Sequence, residues 1–264
     1  MLLPQLLALA CVQGITEFLP ISSAGHLILL PQLSGWVDHG LAYDVAAHFG
    51  TLVAVVFYFR ADLSVMLAHW CRNLAGGVSS VHSRLMWAVI LATIPVSVFG
   101  LLFHDLIAQQ LRNPQIIAAT TIGFGIVLFA ADRYGTRRRN VDSITWRDVM
   151  LVGFAQALAL VPGTSRSGIT ISAGLALGLT RESAARFSFL LSIPVILLAT
   201  GYETVHLIGS PTKADWSGLL TVALIACLSS FACIALFMRF LERVGMLPFV
   251  LYRIALGVLL IAIL

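Results

Sequence analysis

Apolar residues in this chain run unbroken over lengths that no half-buried soluble element needs. The runs fall at approximately 42–59, 85–103, 115–131, 187–202, 216–238 and 244–264, the fourth extended at its start. A helix crossing a bilayer needs about 20 predominantly apolar residues. The six runs therefore predict six transmembrane helices. Two further apolar regions, 2–34 and 149–179, are interrupted midway by Pro20-Ile-Ser-Ser-Ala-Gly25 and Pro162-Gly-Thr-Ser-Arg-Ser-Gly168. Each half is too short to cross alone, and broken backbone at membrane depth survives only where protein or a wet cavity satisfies its polar groups. These regions predict two re-entrant helical hairpins.

Composition narrows the class. Of 264 residues, 59% are hydrophobic and 11% charged, with a mean hydropathy of +0.96. Soluble domains carry about 25% charged residues, so the apolar surface must face lipid. The fold class is an all-α polytopic membrane protein, with no room for a soluble domain. The net charge of +4 does not point to nucleic acid, because the basic residues sit in short connections. Cys11, Cys71, Cys227 and Cys233 form no CxxC pair and have no histidine at metal-ligand spacing, so they read as small packing residues. The start, Met1-Leu-Leu-Pro-Gln, lacks a basic region and a small-residue cleavage site and reads as mature protein.

The arginines partition by connection. Arg60, Arg72 and Arg84 lie in 60–84, five more in 133–147, Arg181 and Arg186 before the fourth span, and Arg239 and Arg243 before the last. The alternate connections hold none in 33–43, Arg112 alone in 104–114 and Lys213 alone in 203–217. By the positive-inside tendency the rich set is cytoplasmic. Every span then alternates only if both broken regions return to the side they entered. Each half of the chain thus reads as one broken hairpin followed by three spans, an inverted-topology repeat within a single membrane domain: repeat one 1–132, connection 133–147, repeat two 148–264. Gln13 stands seven residues before Pro20 and Gln156 six before Pro162. Such repeats build polar sites near the bilayer midplane.

Gln13, Glu17, His26 and Arg166 are the strongly polar positions expected at depth near these breaks. Insertion scales put an intramembrane Arg or Asp at about 2.5–3.5 kcal/mol, so such groups persist when they pair or work. Gln13 and Glu17, four apart, share a helix face, and Pro20 ends that helix. Ser22 and Ser23 are placed to cap the next half-helix, with His26 in its first turn. In the second break Gly163 permits close backbone approach, Arg166 is exposed, and Ser167 can cap the following helix. Two helix N-termini aimed at one place favour phosphate, and Arg166 adds a planar fork for its oxygens. Glu17 fits a general base or a divalent-metal ligand. The competing readings are a helix kink or packing motif for the breaks and a buried structural ion pair for Glu17 with Arg166. His48 reads as a helix-packing hydrogen-bond donor, and Arg253 as a snorkelling residue or the partner of a buried acceptor.

From Gln13 to His26 and from Pro162 to Gly168 the sequence resembles the undecaprenyl-diphosphate phosphatases of the bacitracin-resistance type. The family's (Glu/Gln)-x-x-x-Glu matches Gln13 and Glu17, its Ser-Ser-x-x-His matches Ser22, Ser23 and His26, and its Pro-Gly-x-Ser-Arg-Ser-Gly matches 162–168. Further similarity lies at His48-Phe-Gly-Thr-Leu52, Phe187-Ser-Phe-Leu-Leu191 and Leu247-Pro-Phe-Val-Leu-Tyr-Arg253. The resemblance implies hydrolysis of undecaprenyl diphosphate to the monophosphate carrier and inorganic phosphate at the outer face of the bacterial inner membrane, in cell-wall synthesis and bacitracin resistance. It implies a divalent cation, Mg²⁺ or Ca²⁺, held by Glu17 and Gln13. Glu17, Ser23, His26 and Arg166 would be catalytic, Ser23 the nucleophile and Arg166 the diphosphate clamp. Gln13, Ser22, Gly163, Thr164, Ser165, Ser167 and Gly168 would contact the substrate. Position 13 is Gln where many members have Glu, and position 24 is Ala where many have Thr. The Lys-x6-Arg-Pro block of the other lipid phosphatase superfamily is absent. The partners implied are the polyprenyl diphosphate lipid and membrane lipids, with no nucleic acid; a homo-oligomer is left open. The rival reading is a flippase or transporter of a lipid phosphate.

Overall fold

The computed structural model describes residues 3–27, 35–36, 40–107, 111, 113–208 and 215–263. Asp38, Arg112 and Lys213, in the connections poor in lysine and arginine, lie outside these residues. Among them the chain is helical apart from short turns and a single bridge between Arg139 and Leu179.

In the first half, α1 (Leu3–Thr16) ends four residues before Pro20, and a helical segment α2 begins at 23–27. The spans α3 (Leu41–Tyr58), α5 (Val81–Leu102) and α7 (Pro114–Tyr134) follow, with α4 (Arg60–Leu74) and the single turn α6 (His104–Leu106) between them. The connection 60–84 is thus largely a helix, α4, which buries only Met66. In the second half, α8 (Trp146–Ala157) and a 3-10 turn (Leu158–Leu160) lead to the second break, and α9 (Arg166–Ala176) leaves it. Then come α10 (Arg181–Ile208), α11 (Trp216–Val244) and α12 (Leu247–Ile263).

Five of the six expected spans, α3, α5, α7, α10 and α11, are long and apolar enough to cross a membrane. The last, α12, is apolar but has 17 residues, at the lower limit of about 17–25 for a spanning helix. α10 and α11 run to 28 and 29 residues, beyond the expected 187–202 and 216–238.

Packing partners exchange between the halves. α1 lies on α11 and α8 on α5, while α3 packs on α10 and α7 on α12. Small residues permit the close approaches. A Cβ at Gly14 would meet the Ala226 carbonyl oxygen at 2.8 Å, and one at Gly153 the Ala92 carbonyl oxygen at 2.9 Å. With no hydrophobic drive between helices in lipid, small residues and interhelical hydrogen bonds hold such contacts.

Because each broken hairpin stops part-way along the helix it packs on, the rest of that helix borders an apolar hollow. One, about 470 Å³, lies between Ile15 and Leu19 at the first break and Leu236, Phe237 and Phe240 of α11. The other, about 620 Å³, lies between Leu160 and Val161 at the second break and Phe99 and Phe103 at the end of α5.

The arginine-rich connections converge at one end. Arg181 makes a bidentate pair with Asp132 at 2.7 and 2.9 Å, Arg186 reaches Asp62 at 3.1 Å, and the Glu182 amide donates to Glu242. Arg139 pairs with Asp148 at 2.6 Å and donates to the Leu177 and Ser143 carbonyls. Burial pushes the Asp148 carboxyl up, but the Arg139 guanidinium and the Thr145 cap outweigh it and hold the group below the usual range. Tyr43 meets Asp215 at the start of α11, so the beginnings of α3 and α11 share an end.

Candidate active site

The two breaks meet. Ser167 Oγ, in the first turn of α9, donates to the Leu19 carbonyl of the first break at 2.9 Å. Arg166 Nη2 donates to Glu17 Oε1 at 3.1 Å, with both side chains about nine-tenths buried at 11% and 9% exposure. Residues 149 positions apart in sequence thus form one ion pair, as the structural-pair reading anticipated. It leaves room for chemistry. Nη1 of Arg166 donates to the Ser188 carbonyl, so two of the five guanidinium N–H groups are committed. Arg166 also lies over the Phe18 ring at 5.8 Å.

The Glu17 carboxylate organises the first break. Its Oε2 accepts from the Gln13 amide at 2.8 Å, one helical turn back, and from Ser23 Oγ at 3.4 Å. The same Gln13 nitrogen lies 3.0 Å from His48 Nε2. His48 Nδ1 lies 2.7 Å from the Asp44 carbonyl, which can only accept, so Nδ1 carries the proton and Nε2 accepts from Gln13. His48 therefore belongs to the site, 3.8 Å from Glu17, as an acceptor and not the packing donor the sequence suggested. Only its position one turn after Asp44, at the head of a family-like block, hinted at this.

The serines differ from expectation. Ser22 does not cap; its Oγ is buried without a partner. Ser23 faces Glu17. In the second break the cap of α9 is Ser165, whose Oγ accepts from the Gly168 amide at 3.1 Å, while Ser167 grips the first break instead. Arg166 is the first residue of α9 and largely buried, where exposure was expected. Gly163, at φ +90°, lies against α7, where a Cβ would meet the Ile117 carbonyl oxygen at 2.5 Å. Both the conformation and the space call for glycine. Thr164 Oγ1 is buried without a partner.

His26 turns away from Ser23 and Glu17. Its Nδ1 donates to the Ser22 carbonyl at 2.8 Å and its Nε2 accepts from the Tyr252 hydroxyl at 2.6 Å. The two rings stack, 6° from parallel. Tyr252 was not singled out as a site residue; its signal was its place in the family-like segment Leu247–Arg253.

Backbone exposed by the breaks is satisfied by name. Gly14 and Ile15 carbonyls accept from Ser230 and Cys233 of α11, Pro162 and Gly163 carbonyls from Thr120 and Thr121 of α7. Arg253 is fully buried and donates to Pro20, Thr121, Gly163 and Thr164 carbonyls at 3.0–3.3 Å. Of the two readings of Arg253, the buried-acceptor one holds. A broken helix at membrane depth needs these partners.

A divalent cation fits this donor set in one manner. No three His, Cys, Asp or Glu side chains come together among the described residues, so these residues by themselves form no full cage. Gln13 Oε1 is a buried amide oxygen without a partner, a hard donor beside the Glu17 carboxylate. Mg²⁺ is commonly held by one or two carboxylates with substrate phosphates and water completing the shell.

The sequence is similar to those of known proteins. The family model described as "Bacitracin resistance protein BacA" matches residues 6–259. The chain belongs to this family. It is 57% identical over 255 residues to an undecaprenyl-diphosphatase of Nitrosococcus oceani, covering 97% of this chain and 96% of that one. An undecaprenyl-diphosphatase of Thioalkalivibrio sulfidiphilus is 55% identical over 258 residues, 97% of each chain. The undecaprenyl-diphosphatase 2 of Stutzerimonas stutzeri is 52% identical over 262 residues, 98% of this chain and 97% of the relative. Within the BacA family the matched region takes in both breaks, Glu17, Ser23, His26 and Arg166.

Proposed function

We propose that this chain hydrolyses undecaprenyl diphosphate to undecaprenyl phosphate and inorganic phosphate, as its relatives' names describe. The observation that carries the reading is the Glu17 carboxylate, held between the Ser23 hydroxyl and the Arg166 guanidinium where two half-helices meet.

The diphosphate enters between the breaks and takes the uncommitted N–H groups of Arg166. Ser22, Thr164 and the 163–168 turn line it. Glu17 accepts the Ser23 proton as Oγ attacks the terminal phosphorus, and the bond to the bridging oxygen breaks, expelling the lipid monophosphate. Water then attacks the phosphoseryl group. The water gives its proton to a phosphoryl oxygen, Ser23 leaves phosphorus and recovers its proton from Glu17, and inorganic phosphate departs. His26 would serve as the base for that water only on turning its Nε2 away from the Tyr252 hydroxyl. A Mg²⁺ or Ca²⁺ ion held by Glu17 and Gln13 Oε1 would supply charge neutralisation at the phosphate oxygens. The apolar hollows beside the breaks give the isoprenoid chain lateral room. In this reading the site opens at the outer face of the bacterial inner membrane, supported by His48 lying in the first half of α3, away from the arginines that follow that helix. There the enzyme would regenerate the carrier for cell-wall synthesis and lower sensitivity to bacitracin. The inverted repeat, 1–132 against 148–264, is the frame that brings the breaks together; the exchanged packing partners support it.

The test is phosphate release from a polyprenyl diphosphate in detergent micelles, by wild type and Glu17→Gln, with and without chelator. Wild-type release that Glu17→Gln loses while lipid binding persists is the expected result. Binding without release by the wild type would leave the flippase reading in its place. Equal release by both would remove Glu17 from the mechanism.

A further inference from the structure

Arg253 sits in α12, outside both motifs, yet its guanidinium is where the two breaks share a partner. Nη1 donates to Pro20 of the first break, Nη2 to Gly163 and Thr164 of the second, and Nε to Thr121 of α7. No carboxylate neutralises it among the described contacts; its acceptors are backbone oxygens. Burying a guanidinium at this depth is costly unless every donor works. If the need were only to satisfy carbonyls, threonines could serve, as Thr120 and Thr121 already do at Pro162 and Gly163. What an arginine adds is a rigid plane spanning acceptors on three segments at once.

The consequence is metric. Pro20 lies three residues from Ser23 and Glu17, and Thr164 two from Arg166. The space around the guanidinium is filled: a Cβ at Gly168 would lie 2.8 Å from Nη1, and one at Gly125 3.4 Å from Nε. The plane cannot tilt without moving a break. We propose that Arg253 is a positioning residue that fixes the separation between the Ser23–Glu17 break and the Arg166 break, and so sets the catalytic rate. This rests on the phosphatase reading for its kinetic consequence; the geometric consequence stands alone.

Two measurements test it. The first compares wild type, Arg253→Lys, Arg166→Lys and the double variant for phosphate release from a polyprenyl diphosphate, with Tm measured in the same micelles. A misplacement near 1 Å can cost about 100-fold in rate, so Arg253→Lys should lose about 100-fold in kcat with KM little changed. The double variant should be no slower than the slower single one, because both changes break one arrangement. Multiplying losses, or a lowered Tm with normal kcat, would overturn the proposal and leave Arg253 a stabiliser alone. The second measurement needs no activity. Spin labels at Ile15→Cys and Leu158→Cys, both exposed beside their breaks, are read in a background with Cys11→Ala, Cys71→Ser, Cys227→Ala and Cys233→Ser. One narrow distance distribution is expected with Arg253, and a broadened or displaced one in Arg253→Lys and Arg253→Met. Unchanged distributions in both variants would overturn the proposal even if the wild type released no phosphate, an outcome that would separately defeat the phosphatase reading.

Discussion

Ser22 and Ser165 occupy matching points of the two breaks, each in the left-handed region, with φ of 71° and 69°. The backbone reverses at a serine in both hairpins, immediately before a new helix begins. A non-glycine residue there is strained by about 1–3 kcal/mol, so a side-chain role should offset it. For Ser165 the role is visible, since its Oγ caps α9. For Ser22 it is not, since its hydroxyl is buried and unpartnered. We expect Ser165→Ala to lower Tm and Ser165→Gly to recover part of the loss by relieving strain. Ser22→Gly should hold or raise Tm while lowering turnover. Thermal denaturation and phosphate release on the same samples check both; a Ser22→Gly variant with normal turnover would remove the hydroxyl from substrate binding.

Arg166→Lys keeps the charge but not the fork. A lysine ammonium cannot hold Glu17, the Ser188 carbonyl and a phosphate together in the same plane. We expect at least about 100-fold loss of kcat/KM, in line with the loss of preorganised charge stabilisation. Near-normal turnover at saturating substrate would show that no two-point clamp operates.

Tyr252→Phe removes one hydrogen bond from His26 and keeps the stacked ring. A neutral hydrogen bond contributes about 0.5–1.5 kcal/mol, so turnover should change by roughly 2- to 10-fold. The direction carries information. A fall means that Tyr252 holds His26 in its working orientation. A rise means that the hydroxyl competes with water for Nε2.

Sidedness is testable on described residues. In the cysteine-free background, Arg138→Cys and Ser217→Cys should label with an impermeant thiol reagent from opposite faces of oriented membranes, Ser217→Cys from the outside. Labelling of both from one face would contradict the alternation of spans.

The Arg139–Asp148 pair should impose a pH dependence on stability. The folded Asp148 carboxyl is held below its usual range. Its contribution is therefore present above the ordinary carboxylate pKa and disappears as pH falls through the lowered folded value. The Tm difference between wild type and Asp148→Asn should be constant near neutrality and shrink on acidification. Since Asn can still accept from the Thr145 amide, the cap is common to both proteins, and a difference that persists at the lowest accessible pH would show that the ion pair is not its source.

Hydrophobic run length and the Pro, Gly and Ser interruptions determined the helical membrane fold, because a bilayer admits only helices and closed barrels, and unbroken apolar runs lack the alternation of short barrel strands. Spacing determined that Gln13 and Glu17 share a face, since one helical turn is a local property. Charge left the ion pair of Glu17 with Arg166 as one of two readings, beside an exposed Arg166, and the packing of the two breaks decided for the pair. Which serine caps, which grips and which stands free was decided only by tertiary structure, because a left-handed residue redirects every side chain after it. The same holds for His48, Tyr252 and Arg253. Each lies on a continuous apolar helix whose local sequence says nothing about the helix opposite, and their partners, at Gln13, His26 and the two breaks, are fixed by how separate helices pack.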